Sequence, residues 1–212
     1  QGHAPIHYTL DGSEPTAASP RYTGPVEIGK SARFRATALR EGGENASYSR
    51  EFAFSKSTGR PAVLNTKPND SYTFEGASLL VDGYHSRPVF TSGAWLGYLD
   101  EPLDVTIDMG GEQSYRSVEL ETLAEKGDWI FPPSSVTVWV SDNGTDFTEV
   151  ASVTVPEAKA GDADGIGRYR MQFPETSARY LKVVAQNAAA IPAWHPGAGS
   201  KGFLFVDEIV VE

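Results

Sequence analysis

Apolar residues in this chain recur at every second position, in short runs broken by 21 glycines and 14 prolines. Nowhere do they fall at the spacing of an amphipathic helix. Alternation at period two marks a strand with one face buried and one in solvent. Glycine ends such strands by accepting left-handed backbone, and proline by withholding a hydrogen-bond donor. The pattern restricts the chain to an all-β fold. In the first quarter the runs fall at 5–10, 25–28, 32–39 and 47–54. In the third of these Phe34, Ala36 and Ala38 face one way, and Arg33, Arg35 and Thr37 the other. Such a set makes a small immunoglobulin-like sandwich.

The stretch Ser55-Lys56-Ser57-Thr58-Gly59-Arg60-Pro61 is polar and broken by glycine and proline, so it reads as a linker. We place one domain at 1–57 and a second at 58–212, the latter a comfortable single-domain size. Strands are expected there near 79–81, 103–108, 115–123, 135–141, 147–155, 167–173, 179–185 and 203–211. Long loops and no helical pattern between them predict an antiparallel jelly roll.

Composition narrows the function. The formal charge is −10, which opposes a phosphate-binding surface and leaves neutral or basic ligands open. Cysteine is absent, which removes disulfides, thiol catalysis and cysteine metal sites together. No run approaches the ~20 apolar residues of a membrane span. The Asn-x-Ser/Thr triplets at Asn45, Asn69 and Asn143 are read as chance in a Ser/Thr-rich β-protein. No Ser-His-Asp order, zinc-protease helix, P-loop or dinucleotide glycine motif is present. Asp11, Glu14 and Asp142 have nothing that sets any two of them across a cleft, as glycoside hydrolysis requires.

Two resemblances add to this reading. Tyr8-Thr9-Leu10-Asp11-Gly12-Ser13-Glu14-Pro15-Thr16 resembles the signature of the small β-sandwich at the C-terminal end of bacterial chitobiases and β-hexosaminidases. That domain accompanies a catalytic domain and is not itself the catalyst. The match opens almost at residue 1, so the chain is expected to be the tail of a larger secreted glycoside hydrolase.

The second resemblance spans nearly all of 60–212. Leu79-Leu80-Val81-Asp82-Gly83, Trp95-Leu96-Gly97-Tyr98 and Val105-Thr106-Ile107-Asp108-Met109-Gly110 come first. Pro132-Pro133-Ser134-Ser135-Val136 leads on to Ser141-Asp142-Asn143-Gly144 and Phe147, and Arg179-Tyr180-Leu181-Lys182-Val183 and Phe205-Val206-Asp207-Glu208-Ile209 close the series. In this order they resemble the discoidin family, also called F5/8 type C, whose sugar-binding branch is carbohydrate-binding module family 32. The resemblance implies a jelly roll that holds a terminal galactose- or N-acetylhexosamine-like sugar in its loops, in a secreted, periplasmic or cell-surface bacterial protein. It also implies a structural calcium ion held by Asp82 and Glu208. Arg87 and Pro88 stand where that family places a hydroxyl ligand.

The candidate sugar contacts lie on loops. Trp194 and His195 sit in a Pro/Gly-rich stretch between two strong strands, and Lys201 follows. An aromatic there either plugs the end of the sandwich or faces solvent, where a pyranose can stack on it. Trp129, in Gly127-Asp128-Trp129-Ile130-Phe131, is open to the same two readings. Tyr98, Arg87 and His85 are expected on the loop rim, and Trp95 in the core. Gly161-Asp162-Ala163-Asp164-Gly165 imitates part of a calcium loop, lacks its closing glutamate and reads as a hairpin turn. Three functions compete: a non-catalytic carbohydrate-binding tail, a purely structural spacer that stabilises the parent enzyme, and the protein or cell-surface recognition that the discoidin resemblance also implies. Lipid recognition is opposed by the negative charge.

Overall fold

The computed structural model describes residues 4–40 and 45–212. The chain is all-β apart from short 3-10 turns, and it divides into two compact units: Gln1–Phe54 with Gly83–His85, and Ser55–Asp82 with Ser86–Glu212.

In the first unit β1 (Ile6–Thr9), β2 (Ala32–Ala38) and β3 (Ala46–Phe52) form an antiparallel sheet in chain order. The Asp-Gly turn forms as its chemistry dictates. Gly12 takes φ +83°, and the Ser13 N–H donates to Asp11 Oδ1 at 2.9 Å. The Glu14 carboxylate folds back onto β2, where it accepts from Arg35 at 2.5 Å and from the Thr37 hydroxyl at 3.3 Å. Tyr8, Phe34 and Tyr48 share one face, with ring centroids 5.9 and 6.3 Å apart. The expected strand at 25–28 does not form. Pro25 at its head has no N–H for a ladder.

The second unit is built on two 22-residue strands, β6 (Leu103–Ala124) and β9 (Gly165–Gln186), paired antiparallel along their lengths. The strands expected separately at 103–108 and 115–123, and at 167–173 and 179–185, are therefore continuous. Two register shifts interrupt β6, between Asp108 and Gln113 and between Tyr115 and Ser117. Their effect is visible in the burial. Leu103, Val105, Ile107, Met109 and Tyr115 are fully buried at odd positions; beyond the second shift Val118 and Leu120 are buried at even ones. The Arg116 and Ser117 N–H groups both donate to the Glu212 carbonyl, at 2.7 and 3.3 Å, so β6 carries an extra residue there opposite the chain end that follows β10; such a bulge reverses which side chains face the core and bends the strand. The long strands thus serve both layers of the sandwich.

The first half of β6 pairs with β4 (Ala62–Leu64), and the second half of β9 with β7 (Ser135–Ser141), which pairs with β8 (Thr148–Thr154). The second half of β6 pairs with β10 (Leu204–Val211), which carries β5 (Leu96–Tyr98) at its edge. The inward side chains of both layers form one apolar core. Residues 79–81 are not a strand but the end of a 3-10 helix, Gly76–Val81. Leu79, Leu80 and Val81 are all buried, and a half-buried strand cannot hide three consecutive side chains. Strands β4 and β5 escape a sequence reading because three residues are too few to show a period.

Candidate functional site

Two loops of the second unit meet at one end of the sandwich. The first is the turn 125–131. Its ends are stitched by reciprocal backbone bonds between Glu125 and Ile130, at 3.1 and 3.2 Å. At its tip Trp129 adopts φ +64°, which a side chain larger than glycine rarely takes. Two groups hold the turn in that shape. Lys126, 7% exposed, donates from Nζ to the Asp162 carbonyl at 2.9 Å and pairs with the Asp164 carboxylate. The Phe203 N–H donates to the Trp129 carbonyl at 2.8 Å, tying the tip to the chain that enters β10. Burial raises the Asp164 pKa, but the hydrogen bonds and charge of Lys126 outweigh it and hold the carboxyl below its ordinary value. Burial, then the charge of Asp128, lifts Glu125 above its own.

The second loop is 187–203, a series of tight turns. The Ile191 N–H donates to the Ser200 carbonyl at 2.8 Å, and the Gly199 N–H to the Ile191 carbonyl at 3.0 Å. His195 is its hub. Gly197 donates its N–H to His195 Nδ1 at 3.0 Å, so the ring proton must sit on Nε2, which donates to the Lys126 carbonyl at 2.9 Å. The imidazole stands edge-on to Trp194, Trp129 and Phe131, at 5.6, 6.1 and 5.5 Å between centroids. Trp129 and Trp194 are 42% and 40% exposed. Trp194 Nε1 donates to the Ala158 carbonyl at 2.9 Å.

The structure therefore gathers Trp129, Trp194 and His195 and disperses the other expected contacts. His195 is a correction: both its nitrogens bond the protein's own backbone, so it organises the loops rather than offering a donor to a ligand. Tyr98 is another. It is fully buried on β5, away from any rim, and burial lifts its phenol well above its ordinary pKa. Lys201 pairs with Asp100 at 2.6 Å. Arg87 is exposed, and its carbonyl accepts from Nε1 of the fully buried Trp95, a core residue as expected.

At the expected metal site Asp82 caps the 3-10 helix on the exposed side, while Glu208 is fully buried in β10. Asp207 beside it accepts the Ser86 N–H at 2.7 Å; burial, with the charges of Glu121 and Asp82, pushes its pKa up to about 8. Among the described residues no three metal-capable side chains converge, so an ion there would have to draw most of its oxygens from the backbone.

A feature that sequence reasoning missed adjoins Trp194: a cavity of about 440 Å³ between the 131–134, 154–158 and 188–193 segments. Its lining comes from three distant stretches and carries no period or motif.

With this geometry in view, residues 65–201 match the family model described as the F5/8 type C domain, and residues 1–52 match the model described as Fn3 associated. The chain belongs to the F5/8 type C family. No curated protein sequence matches it. Similar solved structures include chitosan-binding module 1 of a chitosanase/glucanase from Paenibacillus sp. IK-5 (17% identity over 74% of this chain and 98% of that one, TM-score 0.47). A family-32 module from Clostridium perfringens in complex with GalNAc-β-1,3-galactose is similar at 16% identity over 71% and 93%, TM-score 0.46. A Streptococcus pneumoniae fucose binding module shares 21% identity over 74% and 94%, TM-score 0.46. No helix of this F5/8 type C protein is long and apolar enough to cross a membrane, among the described residues.

Proposed function

We propose that this chain is a non-catalytic carbohydrate-binding region whose F5/8 type C unit holds a terminal sugar through the 125–131 and 187–203 loops. One observation carries this: two tryptophans from distant loops are both about 40% exposed and are gripped by one buried histidine. Half-exposed indoles on rigid loops offer a pyranose its stacking face without ordering cost. The family match supports the same reading, as do modules of similar fold whose names record chitosan, GalNAc-galactose and fucose. The finer reading, a secreted bacterial enzyme of chitobiase or β-hexosaminidase type as parent, rests on the Tyr8–Thr16 resemblance. Such a tail would raise the enzyme's effective concentration at its glycan.

A glycan array carrying galactose, N-acetylgalactosamine and N-acetylglucosamine termini tests this. Selective binding lost in a folded Trp194→Ala variant is the expected result. A blank array, with tryptophan fluorescence indifferent to every sugar, would favour the structural spacer. That reading draws on the indole N–H of Trp194 already being bonded to Ala158.

Calcium belongs to the same proposal. The donors would be Asp82, Glu208 and neighbouring carbonyls. Thermal unfolding should move up on adding calcium and fall with a chelator, and a Glu208→Gln variant should lose the response. An unchanged transition in both conditions would remove calcium from the account.

A further inference from the structure

The cavity beside Trp194 has a lining of two kinds. Most of it is methyl groups and rings, among them Pro132, Pro133, Ile191, Pro192 and the alanines at 188–190. The polar members are Ser134, Thr154 and Glu157. Strand pairing fixes the backbone that carries the first two. Ser135 sits opposite Thr154 in the β7–β8 register, and the Val155 N–H donates to the Ser134 carbonyl at 2.9 Å. Trp194 is tied to two of the lining residues: its indole N–H donates to the Ala158 carbonyl at 2.9 Å, and its ring lies 6.3 Å from that of Phe131.

A volume of about 440 Å³ falls within the range of small-molecule sites. Apolar surface and hydroxyls in one lining suit a pyranose, which has a C–H face and a polar rim. Glu157 is the one charged residue in the lining; it is exposed, and no ion pair engages it among the described residues. The chain as a whole carries −10. A carboxylate at the mouth of an uncharged pocket in an acidic protein attracts a cation and repels uronates and sulfates.

We propose that this cavity is a subsite for a hexosamine unit with a free amine. The C–H face rests on the proline and alanine lining beside Trp194, the hydroxyls meet Ser134 and Thr154, and the ammonium faces Glu157. The inference rests on the reading that the 187–203 loop holds sugar, and it names the class of that sugar.

The test is titration of the whole chain with three trimers, of β-linked glucosamine, N-acetylglucosamine and glucose, at a pH where the free amine is protonated. The glucosamine trimer should bind at least about tenfold more tightly than the other two, the difference one well-placed charge contact makes. Glu157→Gln, an exposed substitution whose folding circular dichroism checks, should bring the three affinities together. Equal affinities in the wild-type chain, or a preference that survives Glu157→Gln, would overturn the amine assignment while leaving sugar binding in place. No binding of any trimer would also overturn it. The glycan array then separates the two readings, because a different sugar held through Trp194 would keep the proposed function.

Discussion

Gly197 lies against the indole of Trp129 so closely that a Cβ there would stand 2.8 Å from Cζ2 and 2.9 Å from Cη2. Gly197→Ala must push that ring aside, and we expect about 1–3 kcal/mol of destabilisation from overpacking. Thermal unfolding would show it, together with a changed tryptophan emission spectrum; an unchanged Tm and spectrum would mean the two loops do not pack this way. His195→Phe keeps a ring in place but removes both nitrogens. The buried Gly197 N–H then has no acceptor, a loss of about 1–3 kcal/mol, and both loops should exchange their amide hydrogens faster. Loop position singles out Trp129, Trp194 and His195 in the sequence, but a residue type does not say whether a ring nitrogen meets solvent or backbone. That depended on Lys126 and Gly197 arriving beside it.

The 161–165 turn and the 125–131 turn act as one clamp through Lys126. Lys126→Met should loosen both together, raising hydrogen exchange across 125–130 and 161–165 while β6 and β9 stay protected. Faster exchange in one turn alone would show that they are not coupled. Between β6 and β9, Arg179 forms two hydrogen bonds with Asp108, at 3.0 and 2.8 Å. Chiefly through that bonding, with help from the Gly110 N–H, the Asp108 carboxyl is held down at about 2. A carboxyl whose pKa is lowered by folding stabilises above its ordinary value and ceases to do so as pH falls through its folded value. The wild-type chain should therefore exceed Arg179→Gln in stability at neutral pH, with the gap closing between about pH 4 and pH 2. A gap that stays constant would mean the ion pair is not its source. Alternation revealed most of the strands. It could not reveal that two pairs of them are single bent strands, because a bulge reverses the period and so imitates a break.

For the whole molecule, stability of the second unit rests on the core shared by both layers. Leu181 is fully buried, opposite Ile107 on β6 and Val140 on β7. Leu181→Ala should lower stability by about 2–5 kcal/mol in denaturant unfolding; a loss well under 1 kcal/mol would contradict the packing. What the sequence determined by itself was the class of the molecule. Period-two alternation, punctuating glycines and prolines, and ordered motifs are local properties, and they sufficed for an all-β chain with an F5/8 type C unit. Tertiary structure decided the site. The cavity walls come from segments near 132, 155 and 190, and its only charge from Glu157. Their meeting follows from the β7–β8 and β7–β9 registers, and no residue along the chain records which distant neighbour it will face.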